Sequence, residues 1–426
     1  MKKRTRKIKN KRSPKLIIFI SISIAIIFII LMFVSPYPKY TSGFENINEV
    51  IEDAKSKDEL AQPESYLDYR RPSWKSYQNK IQKSFISQKI ENISIMFGLK
   101  SRPYWHPSYF KYLLEKSIEN KEELSKNEYV VRIIPKPNSK FIIWGDLAGA
   151  YHSVVRGLQK LIELNLIDEN LGLKNPDDFI VFLGDANSRS PFIMELLTLI
   201  MKLEERNKDK TFYLAGNNER DGSWQSYGLL EEIRTKEKYL NSNISIYEKV
   251  EQYFQTIPLA VYISIHPHIS NNFVRISHFA LETPSHKKYE SFVKKLDYSY
   301  YSKELLENRN NNELKIIKLK SDNTEPEEEL INVDAIIKST YKLNQYAKHN
   351  GLQLLTPEKE ATAWTVMSCP TVFWQKLLNF YNDTFVILET AEELDDWTIT
   401  LYYRDIRTNE DFKTKKYDFI SGQQLE

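Results

Sequence analysis

Apolar positions fall in three rhythms along the chain. Leu16 to Val34 is an unbroken run of 19 residues in which only Ser21 and Ser23 are polar. As a helix it would be roughly 28 Å long, about the hydrocarbon thickness of a bilayer. From Ser76 to Lys126, apolar residues such as Ile81, Phe85, Ile90 and Ile93 recur at three- and four-residue spacings, which predicts helix. Beyond Tyr129 the runs become short and β-like: 129–134, 141–144, 179–183, 211–214, 272–277 and 363–367. Helical stretches at 153–164 and 192–205 separate three of these runs, a pattern that predicts βαβ units around a buried, largely parallel sheet. Three last runs, 384–388, 397–403 and 416–420, read as antiparallel strands.

Charge sorts these segments. Residues 1–15 hold nine Lys/Arg and no acid, so the net +3 conceals a remainder with 51 bases against 57 acids. That basic tail is expected to stay cytoplasmic, with residues 16–35 as a single-pass transmembrane signal anchor and the C-terminal domain on the opposite side. The apolar run ends in Ser35-Pro36-Tyr37-Pro38, without the small-x-small site of a cleaved signal peptide. Residues 36–75, rich in Pro and charge, are expected as a juxtamembrane stalk, and 76–138 as a helical extension before a domain at 139–422. Residues 286–345, rich in Lys, Glu, Asn and Ser, are expected as a surface insertion in that domain. A mildly acidic globular part argues against a nucleic-acid partner. The single cysteine, Cys369, excludes an intramolecular disulfide.

Three apolar runs end alike, in Gly145-Asp146, in Gly184-Asp185 and, through Ala215, in Gly216-Asn217. Ligands of open α/β sheets gather beyond the carboxyl ends of strands, and glycine lets the backbone turn there. The 272–277 run ends at His278, and His349 precedes the run that ends at Ser368-Cys369-Pro370. Two Asp, one Asn and two His form an O/N donor set suited to manganese, iron or zinc. An Asp between two such clusters can bridge two ions about 3.5–4 Å apart. Each residue also has a plainer reading. His278 alone reads as a core histidine, and His349 rests on its distance from Ser368. His152 is a solvated helix-start residue or a substitute ligand, and Arg189 a phosphate group's partner or a surface ion pair. Cys369 lacks the Gly/Arg loop that would activate a thiol.

At these residues the chain resembles the calcineurin-like metallophosphoesterases, and within them the phosphoprotein phosphatase branch that includes bacterial effector phosphatases. Residues 145–149 are similar to that family's GDxHG element, 184–190 to GDxVDRG and 216–219 to GNHE. Residues 257–260 with 274–281 resemble "LPLAA … HGGL", and His349 with 366–370 resembles "RAHQ … FSAPNY". The resemblance implies an α/β fold, a metallophosphoesterase-type β-sandwich of mixed sheets with flanking helices in four αββα layers, after an N-terminal transmembrane helix. It implies one or two divalent metal ions of the Mn, Fe or Zn type. Asp146 would serve the first ion, Asp185 would bridge, and Asn217, His278 and His349 would serve the second. Arg189 would grip the phosphoryl oxygens with its planar fork of donors. A phosphorylated protein or another phosphomonoester is the implied substrate, with residues 16–35 holding the chain to a membrane.

Three family positions are altered together. The GDxHG histidine is Ala148, the GNHE histidine that protonates the leaving oxygen is Asn218, and the acid that orients it is Ser188. An amide is no acid at neutral pH, and that role is worth roughly 10²–10⁴-fold in rate. Two expectations therefore stand side by side. One is an attenuated membrane-anchored phosphomonoesterase; the other is a catalytically inactive pseudophosphatase acting as a tethered binding module.

Overall fold

Alternation along the strands decides how the layers stack. In β2 (Lys140–Trp144), Phe141 and Ile143 enter one apolar cluster while Ile142 and Trp144 enter another. In β3 (Phe179–Phe182), Phe179 and Val181 share the first cluster, and Ile180 and Phe182 the second. A strand buried on both faces needs a layer on each side. Here one layer is a second sheet and the other is helical.

The computed structural model describes residues 42–57, 102–124, 130–220, 222–237, 246–265, 272–278, 317–319, 329–339, 349–355, 362–368, 370–371, 378–408 and 410–425, with 22–23, 90–91, 93–95, 97–99 and 375. The chain divides into two compact units. The smaller comprises residues 1–39 and 82–102 and is described only in short pieces, helical at 22–23, 90–91 and 93–95. The expected transmembrane run thus lies outside the described residues, apart from Ile22 and Ser23. No helix among the described residues is long and apolar enough to cross a membrane.

The larger unit holds both sheets. One runs β13 (Lys413–Asp418), β12 (Thr398–Asp405), β11 (Asn382–Glu389), β2, β3 and β4 (Thr211–Tyr213). β2, β3 and β4 are parallel and the other three antiparallel, as their sequence patterns predict. The other sheet runs β1 (Val130–Ile133), β5 (Ala260–Ser264), β6 (Asn272–Ser277), β8 (Glu329–Lys338), β10 (Thr362–Val366) and β9 (Leu352–Leu355), with β7 (Ile317–Leu319) paired to β8. It too mixes parallel and antiparallel pairs. Ile143, Val181 and Val386 meet Val261, Ile276, Ile337 and Val366 in the core between the sheets.

Against the outer face of the first sheet lie α1 (Ile47–Lys55), α2 (Pro107–Leu124), α3 (Tyr151–Glu163), α4 (Ile193–Arg206), α6 (Leu229–Glu237) and α7 (Ile246–Thr256), a short α5 (Asn217–Arg220) standing before α6. This is a mixed α/β sandwich with two mixed sheets. The fourth, outer layer of the expected αββα arrangement is not found among the described residues.

Three expected boundaries move. Residues 42–57 are not stalk: Phe44 is buried in the helical core together with Ile47, Val50 and Ala54, the i, i+3, i+7 face of α1. Residues 103–138 of the expected helical extension likewise belong to the larger unit, since α2 buries Tyr109, Phe110, Leu113 and Leu114 in the same core and β1 pairs with β5. Part of the 286–345 "insertion" is sheet, because β8 is paired on both sides, to β6 and β10. Its acidic approach, Glu327 to Glu329, masks the apolar run that follows.

Candidate metal and phosphate site

The carboxyl ends of the two sheets are stitched together where β2 and β10 stop. Asp146 pairs as an isolated parallel bridge with Met367, and Ser368 N–H donates to the Asp146 carbonyl at 3.3 Å. Two hydroxyls accept from the turn: Ser368 Oγ from Gly145 N–H at 2.8 Å, and Ser339 Oγ from Asp146 N–H at 3.0 Å. A Cβ at Gly145 would lie 2.1 Å from the Val366 carbonyl oxygen, so only glycine lets the sheets approach this closely.

The loop after β3 folds over this turn. Asp185 is wholly buried and its carbonyl accepts Ala148 N–H at 2.9 Å. Ala148, Asp185 and Arg189 all take left-handed backbone, with φ of 40°, 53° and 61°. Three non-glycine residues held this way in two touching loops store on the order of 1–3 kcal/mol each, which the surrounding packing must offset.

Around Asp185 the expected residues converge. His278, at the end of β6, places Nε2 3.6 Å from Asp185 Oδ2, while its Nδ1 lies 2.5 Å from the Leu183 carbonyl. A ring N–H donating to that carbonyl leaves the Nε2 lone pair toward Asp185. Asn218 N–H donates to Asp185 Oδ1 at 3.0 Å. The Asn217 amide has two settings. In one, its nitrogen donates to Asn218 Oδ1 at 2.9 Å and its oxygen faces Asp185 Oδ2; the reverse turn satisfies both atoms, the nitrogen donating to Asp185 Oδ2 at 3.3 Å and the oxygen accepting from Asn218 N–H at 3.2 Å.

Asp146 and Arg189 complete the cluster. Burial, and then the Asp185 charge, push the Asp146 carboxyl up to about 8, against the pull of Arg189. Asp146 Oδ1 is buried without a hydrogen-bond partner. Arg189 is buried, with its guanidinium over the Tyr227 ring at 4.9 Å and its backbone N–H on the Tyr227 carbonyl at 2.9 Å.

His349 stands exposed in the turn entering β9, two residues before Gly351, whose carbonyl accepts the Met367 N–H at 2.8 Å. His152 is neither solvated nor turned to the site: it is buried, with Nε2 3.2 Å from the Ala54 carbonyl and 3.1 Å from that of Lys57. Cys369 lies outside the described residues.

The three altered positions are structurally coherent. Asn218 Nδ2 donates to Ser188 Oγ at 3.1 Å, so a neutral amide–hydroxyl pair stands where the resemblance expects an imidazole and its acid. Ala148 sits in an apolar cluster with Ala150, Met367, Leu378 and Phe380.

Supporting residues were less legible in the sequence. Glu219, in the GNHE-like element, accepts from the Gly216 and Asp185 N–H groups at 2.8 and 3.1 Å and from the Tyr213 hydroxyl at 2.5 Å. Burial first, and the Asp185 charge second, push its carboxyl up to about 8. Behind the Arg189 loop, Glu232 accepts the Ile193 and Met194 N–H groups at 3.1 and 3.3 Å and so caps α4. Lys236 joins Glu232 at 2.5 Å to both oxygens of Glu195 at 3.0 Å. Lys57, 3.9 Å from Glu195, pairs with Asp53 at 2.5 Å, and Asp53 accepts from the Tyr151 hydroxyl at 2.9 Å. Burial alone would raise Glu195, yet Lys236 and Lys57 hold it below the usual carboxylate range; Glu232 is pushed up to about 8. This buried network ties α1 to both loops of the site.

The fit to a metal ion follows from the donors. Among the described residues, no three His, Cys, Asp or Glu side chains stand together as a metal-holding group. The donors that do meet are the Asp185 carboxylate, the His278 imidazole and the Asn217 carboxamide, with Asp146 beside them. A carboxylate, an imidazole and a carboxamide are oxygen and nitrogen donors of the kind that manganese, iron or zinc takes.

Comparisons with known proteins point to one family. The family described as calcineurin-like phosphoesterase matches residues 139–354. Human serine/threonine-protein phosphatase 5 is 27% identical over 143 residues, 34% of this chain and 26% of the human protein. Serine/threonine-protein phosphatase ppe1 of Schizosaccharomyces pombe is 33% identical over 102 residues, 24% of this chain and 29% of that protein. The chain thus spans little more than a quarter of these relatives' length. Among solved structures, a protein serine/threonine phosphatase from Saccharomyces cerevisiae with similarity to human phosphatase PP5 aligns over 76% of this chain and 98% of its own. Its identity is 17% and its TM-score 0.46.

Proposed function

The chain belongs to the calcineurin-like phosphoesterase family, and from that premise we propose that it is a divalent-metal-dependent phosphomonoesterase of the phosphoprotein phosphatase type that works without a proton-donating side chain. The observation that carries this reading is the convergence of Asp146, Asp185, Asn217, His278 and Arg189 at the strand ends. Asp185, Asn217 and His278 would hold the cation, with Asp146 beside it. When bound, a divalent cation supplies positive charge and Lewis acidity at the phosphoryl group.

The chain's own residues do the rest. Arg189, fixed over Tyr227, offers its guanidinium to two phosphoryl oxygens. Asn218, held by Ser188, can donate an N–H to the leaving oxygen but cannot transfer a proton to it. Leaving groups that depart as stable anions, aryl phosphates and phosphotyrosine among them, should therefore be turned over best. Similarity to serine/threonine-protein phosphatases supports phosphorylated protein as the substrate class. In this reading residues 16–35 tether the domain to a membrane and place it across from the basic tail, which protease accessibility in intact cells would test.

A pseudophosphatase is the second reading, favoured by the neutral Asn218–Ser188 pair and the apolar setting of Ala148. Hydrolysis of p-nitrophenyl phosphate by the full chain, with and without manganese and beside Asp185→Asn, separates the two. Manganese-dependent turnover lost in the variant supports the enzyme. Bound manganese and bound phosphate without turnover would leave the binding module.

A further inference from the structure

Arg189 must be aimed accurately if it is to take two phosphoryl oxygens, since a bidentate contact tolerates displacements of only about 0.5 Å. Its own backbone works against this, held at a φ of 61° in the left-handed region that a β-carbon disfavours. What holds it there comes from the approach to α6. Ser188 pairs as an isolated antiparallel bridge with Gly228, and Arg189 N–H donates to the Tyr227 carbonyl at 2.9 Å. The Tyr227 ring lies 4.9 Å from the guanidinium. Tyr227 and Gly228 thus fasten both the backbone and the head of the arginine.

The far end of the loop is fastened to the same helix. α4 begins at Ile193, behind Phe192, whose side chain makes no capping hydrogen bond. Glu232, in the first turn of α6, caps α4 instead. One carboxyl oxygen takes Ile193 N–H at 3.1 Å and the other takes Met194 N–H at 3.3 Å. Glu232 is itself fixed: it is wholly buried, its N–H donates to the Gly228 carbonyl at 3.0 Å, and Lys236 joins it at 2.5 Å. Lys236 also reaches Glu195 of α4 at 3.0 Å and lies 4.5 Å from the Trp105 ring. Residues 188–194 are therefore held at both ends by one element, and the direction of the guanidinium follows from how α4 is seated on α6.

We infer that Glu232 is a positioning residue for phosphate binding: by seating the start of α4 on the helix that Tyr227 and Gly228 lead into, it sets where the Arg189 guanidinium points. This inference rests on the phosphate role of Arg189 given above and adds the residue through which that role is kept.

The test is a double-mutant cycle on inorganic phosphate affinity, measured by calorimetry on the full chain with manganese. Glu232→Gln keeps the size of the side chain but sets an amide N–H against one of the two backbone donors. It should weaken phosphate binding about 10-fold, within the coupling found between groups of one network. In the Arg189→Lys background the same change should cost less than about 2-fold, because the contact it aims is already gone. Manganese affinity, by equilibrium dialysis, should stay within about 2-fold in every variant, as for independent sites. Glu232→Asp keeps the carboxyl but is one methylene too short to reach both N–H groups at once, and it repeats the cycle should Glu232→Gln not fold. Equal losses in both backgrounds, or no loss in either, would overturn the inference alone. Unchanged phosphate affinity in Arg189→Lys would instead sink the phosphate role of Arg189, and the inference with it.

Discussion

If the neutral pair at positions 188 and 218 is what limits this site, restoring an acid there should accelerate it selectively. The perturbation is the double substitution Ser188→Asp with Asn218→His. The geometry is suitable, because Asn218 Nδ2 and Ser188 Oγ are already 3.1 Å apart and both side chains are wholly buried. A positioned general acid is worth roughly 10²–10⁴-fold, or about 2.7–5.4 kcal/mol at about 1.36 kcal/mol per decade. Against this, the larger side chains cost about 1–3 kcal/mol of stability in a filled interior. Aspartate alone would add a buried carboxylate close to Asp185, which already receives the Asn218 N–H at 3.0 Å, so Ser188→Asp by itself should be destabilised and no faster. The assay is kcat/KM on a phosphoserine peptide and on p-nitrophenyl phosphate. The double variant should gain about 100-fold on the peptide, the low end of the general-acid range, and much less on the aryl ester, whose leaving group needs no proton. Equal gains on both substrates, or no gain in a folded and metal-loaded variant, would refute the reasoning.

Other residues carry separate expectations. Arg189→Lys should weaken inorganic phosphate binding by roughly 10–100-fold, since charged hydrogen bonds contribute about 1.5–3 kcal/mol and an ammonium cannot reproduce the bidentate fork; unchanged affinity by calorimetry would remove Arg189 from the phosphate site. Lys236→Met strands Glu195 and Glu232 in the interior, a loss of about 3–5 kcal/mol, so Tm should fall by about 6 °C or more; a negligible shift would mean the network contributes nothing to stability. Glu232, raised to about 8 mainly by burial, stabilises fully below the unfolded carboxyl range and loses that contribution as pH rises through about 8. The Tm of the unaltered chain should therefore decline between pH 6 and 9 relative to Glu232→Gln, and parallel curves would contradict the assignment.

Much of the site was visible in the sequence because its grammar is local. An apolar run followed by Gly-Asp or Gly-Asn announces a strand end with a polar tip, and β2, β3 and β4 end as that pattern predicts. The same locality explains the misses. Ser339 and Ser368 matter only because two sheets meet at Gly145, a contact spanning about two hundred residues that no local spacing encodes. Nor does chain distance reveal that β8, hidden behind acidic residues, ends with Ser339 against the Asp146 turn. Likewise α1 shows a clear apolar stripe, yet its charged residues read as stalk until Asp53 and Lys57 are seen meeting Tyr151 and Glu195. The left-handed backbone of Ala148, Asp185 and Arg189 has no sequence signal, since none is glycine.

The most direct measurement is the dependence of kcat/KM on leaving-group basicity, taken with the full chain and manganese across a series of aryl and alkyl phosphates. Catalysis without a proton donor requires a steep fall in rate as the leaving group becomes more basic, with Asp185→Asn at background throughout. A shallow dependence, with phosphoserine peptides hydrolysed as fast as p-nitrophenyl phosphate, would contradict it and require an acid that Asn218 is not.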